Sequence, residues 1–175
     1  MKTLLRETIE KGFVSFDAKL NEKLTLVMGG GGALVCVYNF PLATEDVDVF
    51  SVEKNLTLLD PLIKEVASEL KLPPDWLNAY FSTFTGVLPQ DYAKRLKKFF
   101  TGKHLAVFAL GPEDLFIMKC FAGRDKDIPH AKVLRKQKGF DLNVVEDRFD
   151  ELIAKKYPKA LEARDFFDDV NEEYT

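Results

Sequence analysis

The sequence predicts an α+β protein, a small mixed β-sheet covered by helices and continued by a helical C-terminal extension. Three observations carry this expectation. Short apolar or alternating runs at residues 24–28, 46–50 and 105–110 have the length and pattern of strands. Longer segments between them repeat their apolar residues at spacings of three and four, and from residue 130 onward only helical segments follow. The 175 residues suit one compact domain, read as a core over residues 1–138 with an extension over residues 139–175 packed on it.

Residues 3–20 place Leu5, Ile9, Phe13, Phe16 and Leu20 on one face of an amphipathic helix. Leu24 to Met28 reads as a buried strand, stopped by Gly29-Gly30-Gly31-Gly32. Ala33 to Phe40 is expected to form a short helix closed by Pro41, because proline cannot continue the ladder. Asp46-Val47-Asp48-Val49-Phe50 alternates polar and apolar residues, so it reads as a strand with both acids on one face. Asp60-Pro61 is a helix start, and the helix runs to about Leu70. Pro73-Pro74 ends that unit, and a further short helix through Trp76 and Tyr80 is expected. Residues 91–100 read as a basic helix and Leu105 to Leu110 as a strand. Pro112-Glu113-Asp114 opens a helix to about Ala122, with acids in the first turn where the helix dipole favours them. Gly123 to Pro129 reads as a charged loop, followed by helices near 130–137, 143–156 and 159–172.

Composition narrows the class. Hydrophobic residues at 46% and charged residues at 30% describe a globular chain with a sizeable core. No apolar run approaches the roughly 20 residues of a membrane span. Arg6, Glu7 and Glu10 interrupt the N-terminal segment, so a signal peptide is not expected and the chain reads as soluble and cytoplasmic. Cys36 and Cys120 fit buried thiols in a reducing compartment better than a disulfide framework. With only His104 and His130, a Cys/His zinc site is excluded, and any bound metal would be an oxygen-ligated cation such as Mg²⁺, Mn²⁺ or Ca²⁺. The net charge of −3 is unevenly spread, since residues 92–138 carry 12 Lys+Arg against 4 Asp+Glu between two acidic flanks. A basic middle of this kind suits a polyanionic ligand.

The chemistry-bearing residues begin with the glycines. A glycine tetrad between a strand and a helix lets a backbone approach a ligand closely, and a helix start offers N–H groups to an anion. It is not a P-loop, because Gly32 is followed by Ala33-Leu34 instead of Lys-Ser/Thr. It is not a dinucleotide fingerprint either, because Leu34 is too large and Pro41 ends the helix too soon. After thirteen intervening residues Gly32 is followed by Asp46-x-Asp48, two carboxylates projecting together from a strand. Two such acids repel, and a hard divalent cation removes the repulsion.

Gly31-Gly32-Ala33-Leu34 followed by Thr44-Glu45-Asp46-Val47-Asp48 resembles the polymerase-beta-type nucleotidyltransferase superfamily. A second segment, Lys119 to Asp127 with Ala122 and Arg124 between, resembles nucleotidyltransferase-like proteins near the abortive-infection toxins of type IV toxin–antitoxin systems. Leu72 to Asn78 resembles a stretch in small bacterial relatives of these. The resemblance spans residues 24–135 and implies a nucleotidyltransferase-like core. It implies that Gly31, Gly32 and Thr44 bind the nucleotide and that Asp46 and Asp48 ligate Mg²⁺ (or Mn²⁺). Lys119 and Arg124 would bind phosphate or stabilise developing charge, and Asp127 would orient them or assist the acceptor. The site is expected between the glycine turn, the Asp46/Asp48 strand and the Lys119–Asp127 helix end.

The implied activity is transfer of a nucleotidyl group from a nucleoside triphosphate to an acceptor, RNA such as tRNA, a protein or a small molecule, with a toxin-like role and a cognate antitoxin protein as partner. The strand at 105–110 contains no third acid, Leu42 stands where relatives often carry Arg, and His130 replaces an acid. These departures sustain an alternative, a catalytically degenerate nucleotide-binding or protein-interaction module on the same fold.

Overall fold

Among the described residues strand β2 (Leu24–Met28) sits in the middle of a five-stranded mixed sheet, in the order β5 (Leu77–Asn78), β4 (Val47–Phe50), β2, β7 (Leu105–Ala109) and β6 (Lys97–Thr101). The computed structural model describes residues 3–51, 53, 55–78 and 85–172. Its contacts divide the chain into two units, Met1–Thr83 with Leu96–Leu110, and Phe84–Arg95 with Gly111–Thr175. The α+β class predicted from sequence is the class observed, with seven α-helices among the described residues.

In the first unit, β2 pairs parallel with β7 (Leu105–Ala109) and antiparallel with β4 (Val47–Phe50), while β5 (Leu77–Asn78) adds parallel to β4. Helix α1 (Arg6–Lys19) buries Ile9, Phe13 and Phe16 of the expected stripe, whereas Leu5, expected on the same helical face, belongs to a short strand before the helix and is exposed. A two-stranded ribbon, β1 (Leu4–Leu5) with β3 (Ala43–Thr44), fixes the approach to β4. Helix α3 (Asp60–Leu70) follows a 3₁₀ turn at Leu56–Leu59 and packs on α1.

Trp76 is fully buried against α1, with its ring centroid 5.7 Å from that of Phe13. Gly12 makes this possible, because a Cβ there would lie 2.6 Å from the indole ring. The indole N–H donates to the Ile63 carbonyl of α3 (3.2 Å), and the Val47 N–H donates to the Trp76 carbonyl (2.8 Å). These bonds hold the chain extended, so the short helix expected through Trp76 does not form there and Leu77–Asn78 is a strand; Tyr80 lies outside the described residues.

The basic helix expected at 91–100 is also corrected. Tyr92–Arg95 is a 3₁₀ turn, and Lys97–Thr101 is strand β6, antiparallel to β7 with an irregularity between Lys98 and Phe100. The hairpin is fixed from outside: the Asp17 carboxylate accepts the N–H groups of Lys103 (2.9 Å), His104 (2.7 Å) and Leu105 (2.6 Å) at its turn. Exposed Lys97 and Lys98 suit an edge strand, where charge discourages pairing with another chain.

The second unit is built on α4 (Pro112–Ala122), whose residues 112–121 are all buried. A helix apolar on all sides must be surrounded, and α5 (Asp127–Arg135), α6 (Leu142–Ala154) and α7 (Ala160–Glu172) pack against it. Phe116 meets Phe140 and Phe167, and Phe121 stacks on Phe149 with ring centroids 6.0 Å apart. Residues 85–95 join this unit through buried polar groups. Arg95 makes a two-pronged contact with Asp114 (3.1 and 2.8 Å), and Arg148 donates to the Val87 and Gly86 carbonyls (both 2.8 Å). No described helix is long and apolar enough to cross a membrane.

Candidate functional site

In the first unit the arrangement around the glycine turn follows from one antiparallel register. Met28 of β2 pairs with Val49 of β4, so the next residue, Gly29, falls beside Asp48 and donates its N–H to the Asp48 carbonyl (2.9 Å). The chain then turns into helix α2 (Gly30–Val37), which begins inside the glycine tetrad instead of at Ala33 and ends before Phe40. Gly30 has φ +53, a conformation that glycine adopts without strain. A Cβ at Gly30 would overlap the Asp48 Oδ2 atom, and one at Gly31 would overlap the Thr44 Oγ1 atom. At Gly32 it would lie 2.9 Å from Val47 Cγ1, so this buried glycine serves close packing on β4. The tetrad thus lets the start of α2 press against β3 and β4. The first N–H groups of a helix have no intrahelical partner, and Gly29 at the N-cap has no side chain to offer them. They carry the positive end of the helix dipole.

The strand expected from Asp46 begins one residue later, at Val47, so Asp46 lies just before β4 and Asp48 within it; both acids are half-buried while Val47 and Val49 are buried. Their setting includes a residue to which sequence reasoning gave no role. Asn78 pairs with Asp48 in the parallel β4–β5 register, and its Nδ2 donates to Asp46 Oδ2 at 3.3 Å. The only trace of this in the sequence is that Asn78 closes the Leu72–Asn78 stretch noted above.

Two carboxylate side chains beside a helix N-terminus form a donor set that suits Mg²⁺, which is commonly held by one or two carboxylates together with substrate phosphates. Among the described residues no group of three or more His, Cys, Asp or Glu side chains is placed to hold a metal unaided.

The second unit holds the other residues singled out from sequence. Helix α4 ends at Gly123, which has φ +57 and donates its N–H to the Lys119 carbonyl (3.0 Å). The Asp127 N–H then donates to the Arg124 carbonyl (2.7 Å), so the charged loop expected to reach Pro129 stops at Lys126 and α5 begins at Asp127. This turn gathers three charges. Asp127 Oδ1 accepts from Lys119 Nζ (2.7 Å) and Asp127 Oδ2 from Arg124 Nε (2.6 Å), with His130 Nδ1 3.6 Å from Oδ1. Burial by itself would raise the Asp127 carboxyl, but the nearby His130 and the bonds from Arg124 and Lys119 outweigh it and hold the group well below the usual carboxylate range. Lys119 and Asp127 are buried, whereas the Arg124 side chain is 54% exposed. Two cations around one carboxylate leave a net positive charge at this turn.

Over residues 13–173 the chain matches the family described as nucleotidyltransferase of unknown function (DUF6036). The chain belongs to that family. Neither the curated proteins nor the solved structures contain a significant match to it. The matched residues extend over both units of the structure.

Proposed function

We propose that this nucleotidyltransferase-family protein binds a nucleoside triphosphate together with Mg²⁺, for which Mn²⁺ can substitute, and transfers the nucleotidyl group to an acceptor. In that reaction an acceptor oxygen bonds to the α-phosphorus, the bond to the β-phosphate oxygen breaks, pyrophosphate leaves and the acceptor gives up its proton. One observation supports the reading: the β2–β4 register brings the start of α2 against β4, with Gly30 packed on the Asp48 side chain.

The Gly30–Gly32 N–H groups hold the phosphates, and Thr44, packed on Gly31, presents its hydroxyl to the same region. Asp46 and Asp48 ligate the cation, which when bound neutralises phosphate charge and polarises the reacting phosphoryl group. In the second unit Lys119 is fixed on Asp127 and Arg124 keeps its guanidinium partly in solvent, so that cluster is suited to hold an anion of its own. Exposed lysines on β6 (Lys97 and Lys98) and in the second unit (Lys126, Lys136 and Lys138) favour a polyanionic acceptor such as RNA.

A second reading, nucleotide binding without turnover, is favoured by Asn78. The residue facing Asp48 across the β4–β5 pair is an amide, so the strand neighbour adds no third acid. Pyrophosphate release separates the two. With each of the four ribonucleoside triphosphates, Mg²⁺ and total RNA, the wild type should release pyrophosphate well above Asp46→Asn/Asp48→Asn. Nucleotide binding with release no higher than in that variant would establish the second reading.

A further inference from the structure

We infer that Asn78 is a positioning residue for Asp46: its side-chain amide sets the orientation of that carboxylate and keeps the cation site at two acids. The inference rests on the reading of Asp46 and Asp48 as cation ligands given above. Three observations support it. The Asn78 amide reaches the Asp46 carboxylate across neighbouring strands, at 3.3 Å. Its backbone is set by register, with Val47 opposite Leu77 and Asp48 opposite Asn78. The strand that carries it is fixed by Trp76, buried against Phe13 and bonded to Ile63 of α3 and to Val47 of β4. A rigid, packed residue thus fixes the origin of a short side chain whose one donor group points at a proposed metal ligand.

The choice of amide has a chemical consequence. A carboxylate on β5 in this place would put a third negative charge beside Asp46 and Asp48, and like charges so close repel. An amide N–H instead occupies one lone pair of Asp46 Oδ2 without adding charge, and leaves the remaining lone pairs for a cation. Partners that orient metal ligands in this way are worth about 10- to 100-fold in metal affinity.

The test uses Mn²⁺ alone, titrated into the full chain and followed by electron paramagnetic resonance, with thermal unfolding recorded for every variant. Asn78→Ala should weaken Mn²⁺ binding about tenfold and leave the unfolding midpoint near that of the wild type. Asn78→Asp should tighten binding on the order of tenfold, since ligand charge count tunes affinity. The loss caused by Asn78→Ala should vanish in an Asp46→Asn background, because the Asn78 amide acts through Asp46. An Asn78→Ala loss of the same size with and without the Asp46 carboxylate, or Mn²⁺ affinities within about twofold of wild type in both Asn78 variants, would overturn the inference. If the wild type binds Mn²⁺ no better than Asp46→Asn/Asp48→Asn, the cation-site reading itself fails and the inference falls with it.

Discussion

Asp127→Ala is expected to destabilise the second unit by about 3–5 kcal/mol, the largest effect of any single substitution in that unit's polar network. The side chain lies fully buried, and it compensates Lys119, whose own side chain is only 8% exposed. Removing the carboxylate leaves an ammonium group in a poorly solvated place without the anion that balanced it, and the cost is that of an uncompensated buried charge. Arg124→Ala is the contrast: its side chain is more than half exposed, and its loss should cost about 1 kcal/mol or less. Urea unfolding, with amide exchange in α4 and α5 to locate the effect, distinguishes the two.

The same carboxylate gives the pH dependence. Its folded pKa is depressed, so its contribution is fully present above the ordinary aspartate value of about 3.9 and is lost as pH falls below it toward the folded value. The wild type should therefore lose stability on acidification below about pH 4, and Asp127→Asn should lose less over that window.

The second large effect is expected from Gly30→Ala. The new methyl group would overlap the Asp48 carboxylate, and the residue would be held at a positive φ that L side chains resist. Asp48 must move, and Mg²⁺-dependent nucleotide binding should fall by about 10- to 100-fold. Gly139→Ala supplies the control, because Gly139 also has positive φ (+81) but has nothing within 4 Å of an added Cβ. It should carry the backbone strain and leave nucleotide binding intact. Equal binding by the Gly30 variant and the wild type would show that the contact between α2 and Asp48 is irrelevant to the ligand.

Much of the fold was legible because local signals and tertiary packing agree. Leu24–Met28, Asp60–Leu70 and Pro112–Ala122 have the bounds their patterns suggest, the two helices because Pro61 and Pro112 open them in the first turn. The misreadings occur where a distant group decides. Lys94-Arg95-Leu96-Lys97-Lys98 has a composition that a helix accepts, yet Lys97–Thr101 pairs with β7 because Asp17, far away in sequence, clamps the hairpin turn. Trp76 is drawn out of a helix by a pocket on α1 that the absence of a side chain at Gly12 provides, and the strand begins at the next residue.

The candidate site divides in the same way. The two-residue spacing of Asp46 and Asp48 was readable, but not that the strand begins only at Val47 and leaves Asp46 just before it. The tetrad was readable as a helix entry, but not which glycine meets which residue. The register puts Gly30 against Asp48 and Gly31 against Thr44, and turns Gly32 to packing on Val47. Asn78 was out of reach, because its meeting with Asp46 depends on a parallel pairing across an intervening helix.

The central claim is that Asp46, Asp48 and the glycine turn form one site for a metal-bound nucleotide. Calorimetric titration of the four ribonucleoside triphosphates, with and without Mg²⁺, into the wild type and Asp46→Asn/Asp48→Asn tests it most directly. At least one triphosphate should bind the wild type only when Mg²⁺ is present, and none should bind the double variant under the same conditions. Failure of every triphosphate to bind the wild type with Mg²⁺, or equal binding by the double variant, would contradict the claim.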